Sequence, residues 1–295
     1  MDSMRTRNAA KIKCTIPQQT VKNEKDDVMF TEDEKKTIAE LKQLYLETIK
    51  LDVDLQRDIY NMEKSYEVKH NEIFDKRKKI LESCREFKKQ NHGDASPNEN
   101  VTNFWLKVLK ASYTEFISKK DEKILSNLCD IRAKLFNEPT VKFIIEFHFE
   151  PNEYIANRVL TKTYFLNCLP DPDDPLSYDG AEIYKCEGCR IEWKQAKDRE
   201  KKDTTSFFDF FSPPTLPEDT DDPNYCDINA ILQNDFELGF YLKERVIPKA
   251  VIFFTGEIAD CQSSEESESE TEESDEESDA EEEEESSTND TENDK

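Results

Sequence analysis

Residues 31–91 read TEDEKKTIAELKQLYLETIKLDVDLQRDIYNMEKSYEVKHNEIFDKRKKILESCREFKKQN, a stretch that contains neither proline nor glycine. Thr31 and Glu34 form the capping-box pattern that begins a helix, and Gly93 followed by Pro97 supplies a stop. At a rise of 1.5 Å per residue, an unbroken helix of this length extends about 90 Å. Because a single globular domain is smaller than that, we expect the helix to project beyond its own domain.

Apolar residues recur along one side of this helix. From Leu55 through Ile59 and Met62 to Tyr66 the spacing alternates between four and three residues, which is typical of helices that pack lengthwise. One chain cannot cover such a stripe along its whole length, so we predict that a second copy covers it and that these four residues lie in the dimer interface. A helical hairpin within one chain is the alternative, although no turn signal breaks the run.

Beyond the long helix, the pattern changes to the alternating spacing of strands. Val141–Phe149 and Val159–Leu166 predict two strands, and Ala181–Cys186 and Cys189–Lys194 predict two shorter ones around a turn at Glu187-Gly188. Successive strands of this kind indicate an antiparallel sheet, so the predicted fold class is α+β: a long helix, then an α/β domain with helices around the sheet. The other predicted elements are helices at Val101–Leu109, Asp121–Arg132 and Asp227–Val246, a helical turn at Ser206–Phe211 and an apolar element at Pro248–Phe254.

The sequence divides into four predicted parts. A polar arm, 1–30, precedes the long helix, 31–92; the α/β domain, 93–258, is followed by an acidic tail, 259–295. From Cys261 onward the chain has 18 acidic residues, 8 serines and one lysine, with no aromatic residue and no Leu, Ile, Val or Met. Such a segment cannot bury enough apolar surface to offset the entropy of ordering, so we expect the tail to be disordered.

The formal charge of the chain is −26, of which the last 35 residues contribute −17. The remaining −9 makes residues 1–260 acidic as well, which argues against nucleic acid as a direct partner. The tail is a candidate ligand for a strongly basic partner; a purely solubilising role is the alternative.

The cysteines and the N-terminal sequence indicate the cellular compartment of the protein. Eight cysteines are spread over segments of different kinds, and Met1–Lys13 lacks the apolar core of a signal peptide. No apolar run approaches the length of a membrane span. We therefore expect an intracellular protein with reduced thiols and no membrane association.

Residues suited to metal binding or catalysis are few. Cys186-Glu-Gly-Cys189 has the spacing of half a zinc site, but no second pair stands at a familiar distance, and a hairpin turn explains the glycine equally well. Alternation places His148 on the face opposite Phe147 and Phe149, where a polar histidine is expected. Because phosphate-loop and hydrolase motifs are also missing from the sequence, we predict no enzyme, no cofactor and no metal.

Three kinds of short signal are present. Ile38, Leu41, Leu44 and Leu46 have the spacing of a leucine-rich export signal, although ordinary helix core is the alternative. Basic runs at 4–13 and 194–203 are weak candidates for import signals because the second is diluted by acidic residues. An acidophilic kinase would find acceptors in the tail at Ser263, Ser264, Ser267, Ser269, Ser274 and Ser278.

Several longer motifs occur in a specific order. Together with the capped helix and the acidic tail, they resemble the nucleosome assembly protein family over residues 31–295, and its nucleosome assembly protein 1-like type more closely than the SET type. The motifs are Phe74–Arg77, Asn103–Leu106, Glu146–Tyr154, Leu160–Tyr164, Asp179-Gly180, Cys186–Trp193, Ser206–Pro214, Asp235–Gly239 and Ile247–Gly256.

The resemblance implies a histone chaperone: a homodimer joined by long antiparallel helices, which binds core histones and shuttles between cytoplasm and nucleus. Its expected partners are the 2A–2B and 3–4 histone pairs, with other basic chromosomal proteins as further candidates. An acidic adaptor or phosphatase-inhibitor-like protein is the rival function. The expected histone-binding residues are Glu150, Glu153, Asp219, Asp221 and Asp222 in the folded domain, with Glu281, Glu282, Glu283, Glu284 and Glu285 in the tail.

One departure from the family concerns the segment after Trp193. Relatives carry a longer and strongly basic hairpin there, which serves as their import signal. In this chain Lys194–Asp203 is short and of mixed charge. The import signal of the family is therefore not expected to be intact.

Overall fold

The computed structural model describes residues 30–90, 99–112, 117–194, 206–217, 219 and 221–257. Helix α1 spans Glu32–Gln90, 59 residues, which corresponds to about 88 Å. Its predicted capping box is confirmed: the Thr31 amide donates to Glu34 Oε2 at 2.7 Å, and the Glu34 amide donates to Thr31 Oγ1 at 3.3 Å. The predicted stop at 91–98 lies outside the described residues.

Short helices and four strands follow α1. Two strands coincide closely with the predicted ones, and the aromatic turn before Pro213 is a 3₁₀ helix as the sequence indicated. The elements are α2 (Glu99–Thr102), α3 (Phe104–Ser112), α4 (Lys119–Leu125), β1 (Leu128–Phe136), β2 (Lys142–Phe149), β3 (Val159–Asn167), a 3₁₀ turn (Pro175–Ser177), β4 (Glu182–Gly188), a 3₁₀ helix (Phe207–Phe211), α5 (Tyr225–Tyr241), a π-helical turn (Leu242–Val246) and α6 (Ala250–Thr255).

The strands form one antiparallel sheet in the order β1-β2-β3-β4. Along β2 the side chains alternate between buried and half-buried, so that Phe147 and its buried neighbours point into the core. Phe147 meets Phe207, Phe210 and Phe211 of the 3₁₀ helix at ring-centroid distances of 5.9, 6.0 and 5.3 Å. The predicted α+β class, with a long helix, an antiparallel sheet and surrounding helices, is confirmed.

Helix α1 lies along the outer edge of β1. The Leu135 amide donates to Glu67 Oε2 at 3.0 Å, and Arg85 donates to the carbonyl of Leu128. Tyr60 donates its hydroxyl to the carbonyl of Lys142 at 2.7 Å. An edge strand exposes unpaired backbone groups to water or to other chains, and here the side chains of α1 satisfy some of them.

A buried charged pair joins the sheet to α5. Lys162 on β3 is fully buried, and its ammonium lies 2.5 Å from Asp235 Oδ2 and 2.6 Å from the Phe210 carbonyl oxygen. Tyr164 donates its hydroxyl to Asp235 Oδ1 at 2.8 Å. The two sequence motifs that contain Lys162 and Asp235 are therefore in direct contact.

Two glycines allow close packing around this pair. A Cβ atom at Gly239 would lie 2.2 Å from Cζ of Tyr164, and a Cβ atom at Gly188 would lie 1.9 Å from the carbonyl oxygen of Phe211. Both distances are far below van der Waals contact, so neither position has room for a larger residue. The glycine at the end of β4, within Cys186-Glu-Gly-Cys189, is thus explained by packing of β4 against the 3₁₀ helix.

Two predicted elements were wrong. Asp121–Arg132 was predicted as one helix, but α4 ends at Leu125 and β1 begins at Leu128. The apolar residues of this segment repeat at helical spacing, which favours a helix. In the structure, strand β1 buries polar side chains that pair with each other, since Arg132 Nε lies 2.5 Å from Asp130 Oδ2. Burial raises the pKa of Asp130, against the opposing influence of Arg132.

Cys189–Lys194 was the second wrong element, because it forms no strand. Glu187 and Gly188 belong to β4 and are not a hairpin turn. The following residues make a single bridge, between Trp193 and Ile155, and the Cys189 amide donates to the Thr161 carbonyl at 3.0 Å. The chain therefore leaves the sheet after Gly188.

Replacing Asp235 with Asn should lower the free energy of unfolding by about 3 kcal/mol, because it leaves the Lys162 ammonium buried without a counter-charge. Chemical denaturation measures the change. Glu187→Gln is the matched control, since the Lys185–Glu187 pair is about half exposed on both sides and should contribute little to stability. Equal losses in the two variants would contradict the structural role of Asp235.

Candidate functional site

An exposed apolar stripe runs along α1. Its nine members are separated by three, four or seven residues and are between 47% and 70% exposed. This spacing keeps them on one side of the helix, away from the side that packs on β1. The stripe consists of Leu41, Leu44, Leu51, Leu55, Met62, Tyr66, Ile73, Ile80 and Phe87.

Three of the four predicted dimerisation residues belong to this stripe. Leu55 is 58% exposed, Met62 63% and Tyr66 49%. Ile59 instead lies at the border of the stripe, half-buried, and lines a small cavity of its own domain. The exposed apolar surface therefore continues beyond the predicted residues over most of α1, whereas Ile59 also contacts its own domain.

The residues of the predicted export signal are divided between two environments. Leu41 and Leu44 are 59% and 60% exposed and are members of the stripe. Ile38 and Leu46 are half-buried on α1. The spacing of the signal therefore coincides with part of the apolar surface that a second copy would cover.

Acidic residues are concentrated downstream of α1. Helix α1 has 14 acidic and 14 basic residues, so its formal charge is zero. Residues 206–257 have ten acidic and three basic residues, a formal charge of −7. Residues 168–182 have five acidic residues and no lysine or arginine.

The predicted acidic residues before α5 form a hydrogen-bonded turn. The Asp221 amide donates to Asp219 Oδ1 at 3.0 Å, and the Asn224 amide donates to Asp222 Oδ1 at 2.8 Å. Asp219 and Asp221 are exposed and Asp222 is half-buried. Backbone amides of the turn thus hold the carboxylates of Asp219 and Asp222, and the exposed Asp219 and Asp221 remain open to a basic ligand.

The two predicted acidic residues after β2 differ in their surroundings. Glu150 pairs with Arg85, whose Nη1 lies 3.3 Å from Glu150 Oε1, and its side chain is 25% exposed. Glu153 is exposed. The ion pair between Glu150 and Arg85 therefore helps to bind α1 to the sheet and partly neutralises the charge of Glu150.

The acidic loop at 168–182 was missed by the sequence analysis as a binding surface. Asp171, Asp173, Asp174 and Asp179 are all exposed. Local composition could have identified this surface, because the segment of fifteen residues has five acidic residues and no basic residue.

The two cysteines of the Cys-x-x-Cys motif have structural surroundings. Burial raises the pKa of Cys186 to about 12, so its thiol stays protonated at neutral pH. Cys189 Sγ accepts a hydrogen bond from the Thr161 amide at 3.1 Å. Both cysteines are packed against the hydrophobic core.

His148 lies on the face of β2 opposite Phe147 and Phe149, as predicted. Its Nε2 is 3.0 Å from Glu146 Oε2, and burial lowers its pKa although Glu146 opposes the shift. Among the described residues, no group of three or more His, Cys, Asp or Glu side chains could hold a metal ion. Within the same ranges, no helix has the length and apolarity needed to cross a membrane.

Several predicted functional residues lie outside the described residues. They comprise the tail glutamates 281–285, the tail serines 263–278, most of the mixed-charge run after Lys194 and the N-terminal arm.

This chain is similar to known proteins over most of its length. The family model described as nucleosome assembly protein (NAP) matches residues 36–257. Nucleosome assembly protein 1-like 1 of Rattus norvegicus is 35% identical, with 76% of this chain and 69% of that protein covered. The Homo sapiens protein of the same name is 34% identical, with the same two shares covered.

Two solved structures are similar to this chain as well. The crystal structure of a malaria parasite nucleosome assembly protein has a TM-score of 0.55 and 26% sequence identity, covering 78% of this chain and 99% of that one. Nucleosome assembly protein 1 from Plasmodium knowlesi has a TM-score of 0.55 and 26% identity, covering 78% and 100%.

Replacing Leu55 and Met62 together with Asp should convert a dimer into a monomer, because each carboxylate would have to be buried without a partner at a cost of about 2 kcal/mol or more. Light scattering coupled to size-exclusion chromatography measures the mass. Val68→Asp is the control, since Val68 is 64% exposed but lies off the stripe and should leave the dimer intact. A monomeric unmodified protein at micromolar concentration would disprove the proposed interface.

Proposed function

Because the chain belongs to the nucleosome assembly protein family, and within it to the nucleosome assembly protein 1-like type, we propose that it is a histone chaperone. In this role it binds core histones through acidic surfaces and promotes nucleosome assembly by preventing non-specific contacts between histones and DNA. The activity requires neither a cofactor nor a catalytic residue.

The observation that carries this proposal is the separation of charge in the folded part of the chain. Helix α1 is neutral overall, whereas residues 206–257 have a formal charge of −7 and the segment 168–182, with four exposed aspartates, has no basic residue. A protein whose acidity is concentrated in this way presents a localised anionic surface. Such a surface complements the basic surface that a histone offers to DNA.

The mechanism is competition between two polyanions for one basic protein. Histones bind DNA non-specifically through charge, and an acidic chaperone occupies the same basic side chains. Contacts that are merely electrostatic are then suppressed, while the more extensive contacts of an assembled nucleosome remain favourable. Since the driving force is electrostatic, we expect affinity to fall steeply as salt concentration rises.

The folded surface and the tail have different parts in this proposal. The carboxylates of Asp219 and Asp222, held by backbone amides, give the contact a geometry. The tail, with a charge of −17 in its last 35 residues, adds capture rate and avidity. Glu153 and the loop at 168–182 extend the folded surface. Glu150 contributes less, because Arg85 already neutralises part of its charge.

A homodimer is part of the proposal as well. The stripe on α1 is too long and too apolar to remain in water, and a second copy offers a complementary helix. Dimerisation places two acidic surfaces in one assembly, which increases avidity for a histone pair or for two pairs. We propose the 2A–2B and 3–4 pairs as the ligands, with other basic chromosomal proteins as further candidates.

We further propose a nuclear role with passage through the cytoplasm, and phosphorylation at the tail serines as a means of adding negative charge. Each phosphate adds about −1.5 to −2 charges at neutral pH and should strengthen histone capture. The division into an arm at 1–30, a helix at 31–92, a domain at 93–258 and a tail at 259–295 belongs to the same proposal.

A competition assay tests the proposed function. Each purified histone pair is first bound to non-specific DNA at moderate salt, and release by the chain is then measured. Histone release without DNA binding is the expected result. In parallel, a phosphatase catalytic subunit is offered to the chain. If the chain captures this subunit and binds neither histone pair, the proposal is overturned in favour of a signalling adaptor.

Truncation after Gly256 should leave a folded dimer that still binds histones, but more weakly, with a slower association rate and a shallower dependence on salt. Affinity measured over a salt series, with association followed by stopped flow, checks the change. A full-length variant whose tail acids are replaced by Ser and Gly is the control for length alone. An unchanged affinity would mean that the tail only increases solubility. Complete loss of histone binding would mean that the folded surface does not contribute to it.

Residues 36–48 transplanted onto a diffusible fluorescent reporter should move it toward the cytoplasm if Leu41 and Leu44 act in export. The isolated segment is the informative form, because in the whole chain the same leucines belong to the apolar stripe. Imaging with and without an export inhibitor measures the effect, and a reporter with both leucines replaced by Ala is the control. An evenly distributed reporter would leave the segment as dimer interface only.

A further inference from the structure

A cavity of about 60 Å³ lies between α1, strands β2–β4, the end of α5 and the π-helical turn. Its apolar side chains include Ile59, Phe143, Ile183 and Phe240. One water molecule needs about 10–15 Å³ on the same measure, so the cavity has room for a small apolar group such as the end of an aliphatic side chain.

The rim of the cavity holds a cation. Lys243 of the π-helical turn has a side chain only 13% exposed, and its ammonium lies 3.5 Å from Glu63 Oε2 and in contact with Glu244. The same ammonium is 5.9 Å from the ring centroids of both Phe143 and Phe240. Two carboxylates from separate elements, and two aromatic rings, therefore surround one basic side chain that the chain itself supplies.

The carboxylates of this rim are accessible to a partner. The side chains of Glu63 and Glu244 are 44% and 41% exposed. Ala181, at the end of the acidic loop at 168–182, and Ile183 of β4 line the cavity. The surroundings thus favour a basic partner, while the interior favours an apolar group.

We propose that this cavity receives an aliphatic side chain of a histone, and that a neighbouring lysine or arginine of the histone takes the place of Lys243 between Glu63 and Glu244. The inference rests on the proposed histone-binding function and identifies an anchor within it. Buried anchors of this kind dominate the energy of many interfaces, whereas exposed charges mainly affect rate and salt dependence. Burial of a histone side chain in the cavity would therefore contribute a part of the binding free energy that does not depend on salt concentration.

Filling the cavity tests the proposal. Ala181→Leu places three additional carbon atoms in it, and Ala230→Leu, on the exposed side of α5, is the matched control. Affinity is measured in a salt series for the histone 2A–2B dimer and for an oligolysine peptide, which has charge but no apolar anchor. Ala181→Leu should weaken binding of the 2A–2B dimer about tenfold at every salt concentration, leave its salt slope unchanged and leave oligolysine binding unchanged.

A second variant keeps the test decisive if Ala181→Leu does not fold. Lys243→Gln frees the two carboxylates and should raise histone affinity more than Lys185→Gln, which removes an exposed lysine from a pair with Glu187. The proposal is overturned if Ala181→Leu binds the 2A–2B dimer like the unmodified chain, or if it loses oligolysine equally. Equal effects of the two lysine variants overturn it as well. If the unmodified chain binds no histone, the proposed function itself fails, which is a distinguishable result.

Discussion

The rest of the structure depends on how α1 covers the outer edge of β1. Glu67, Arg85 and Tyr60 of the helix bind backbone groups at or near this edge of the sheet. These contacts fix the rotation of the helix about its own axis. Because the rotation is fixed, the apolar stripe must point away from the sheet, and the stripe cannot be buried within the same chain.

The same constraint separates two kinds of surface. Helix α1 provides apolar contact area with balanced charge, whereas the segments after β3 provide excess carboxylates held by turns and loops. Self-association and recognition of a basic partner therefore use different residues. The cavity beside Lys243 is where the two surfaces adjoin, since Ile59 and Glu63 come from α1 and Ala181 comes from the end of the acidic loop.

Much of the fold could be predicted from local sequence patterns, and the errors have a common cause. The capping box at Thr31, the alternation along β2 and the aromatic turn at Phe207–Phe211 depend on neighbours in sequence. Strand β1 was missed because Arg132 is buried by contact with Asp75 of α1, which lies 57 residues away in the chain. A buried polar residue of this kind disguises the alternation that identifies a strand.

The candidate site shows the same limit. The acidic character of the chain and the three exposed stripe residues Leu55, Met62 and Tyr66 follow from composition and periodicity. The pairing of Glu150 with Arg85, over 65 residues, does not, and neither does the cavity, whose lining comes from several separate elements. Sequence reasoning therefore identifies the kind of partner better than the individual carboxylates that contact it.

The balanced charge of α1 has a consequence for a chain with a formal charge of −26. Two such chains repel each other at long range, and an acidic interface would make association depend on salt. An interface made from a helix of zero net charge avoids electrostatic repulsion between the two chains at close contact. The remaining acidic groups lie mainly beyond it, where a screening length of about 8 Å at physiological ionic strength weakens their repulsion. Self-recognition of this strongly anionic protein should therefore respond much less to ionic strength than its capture of cations does.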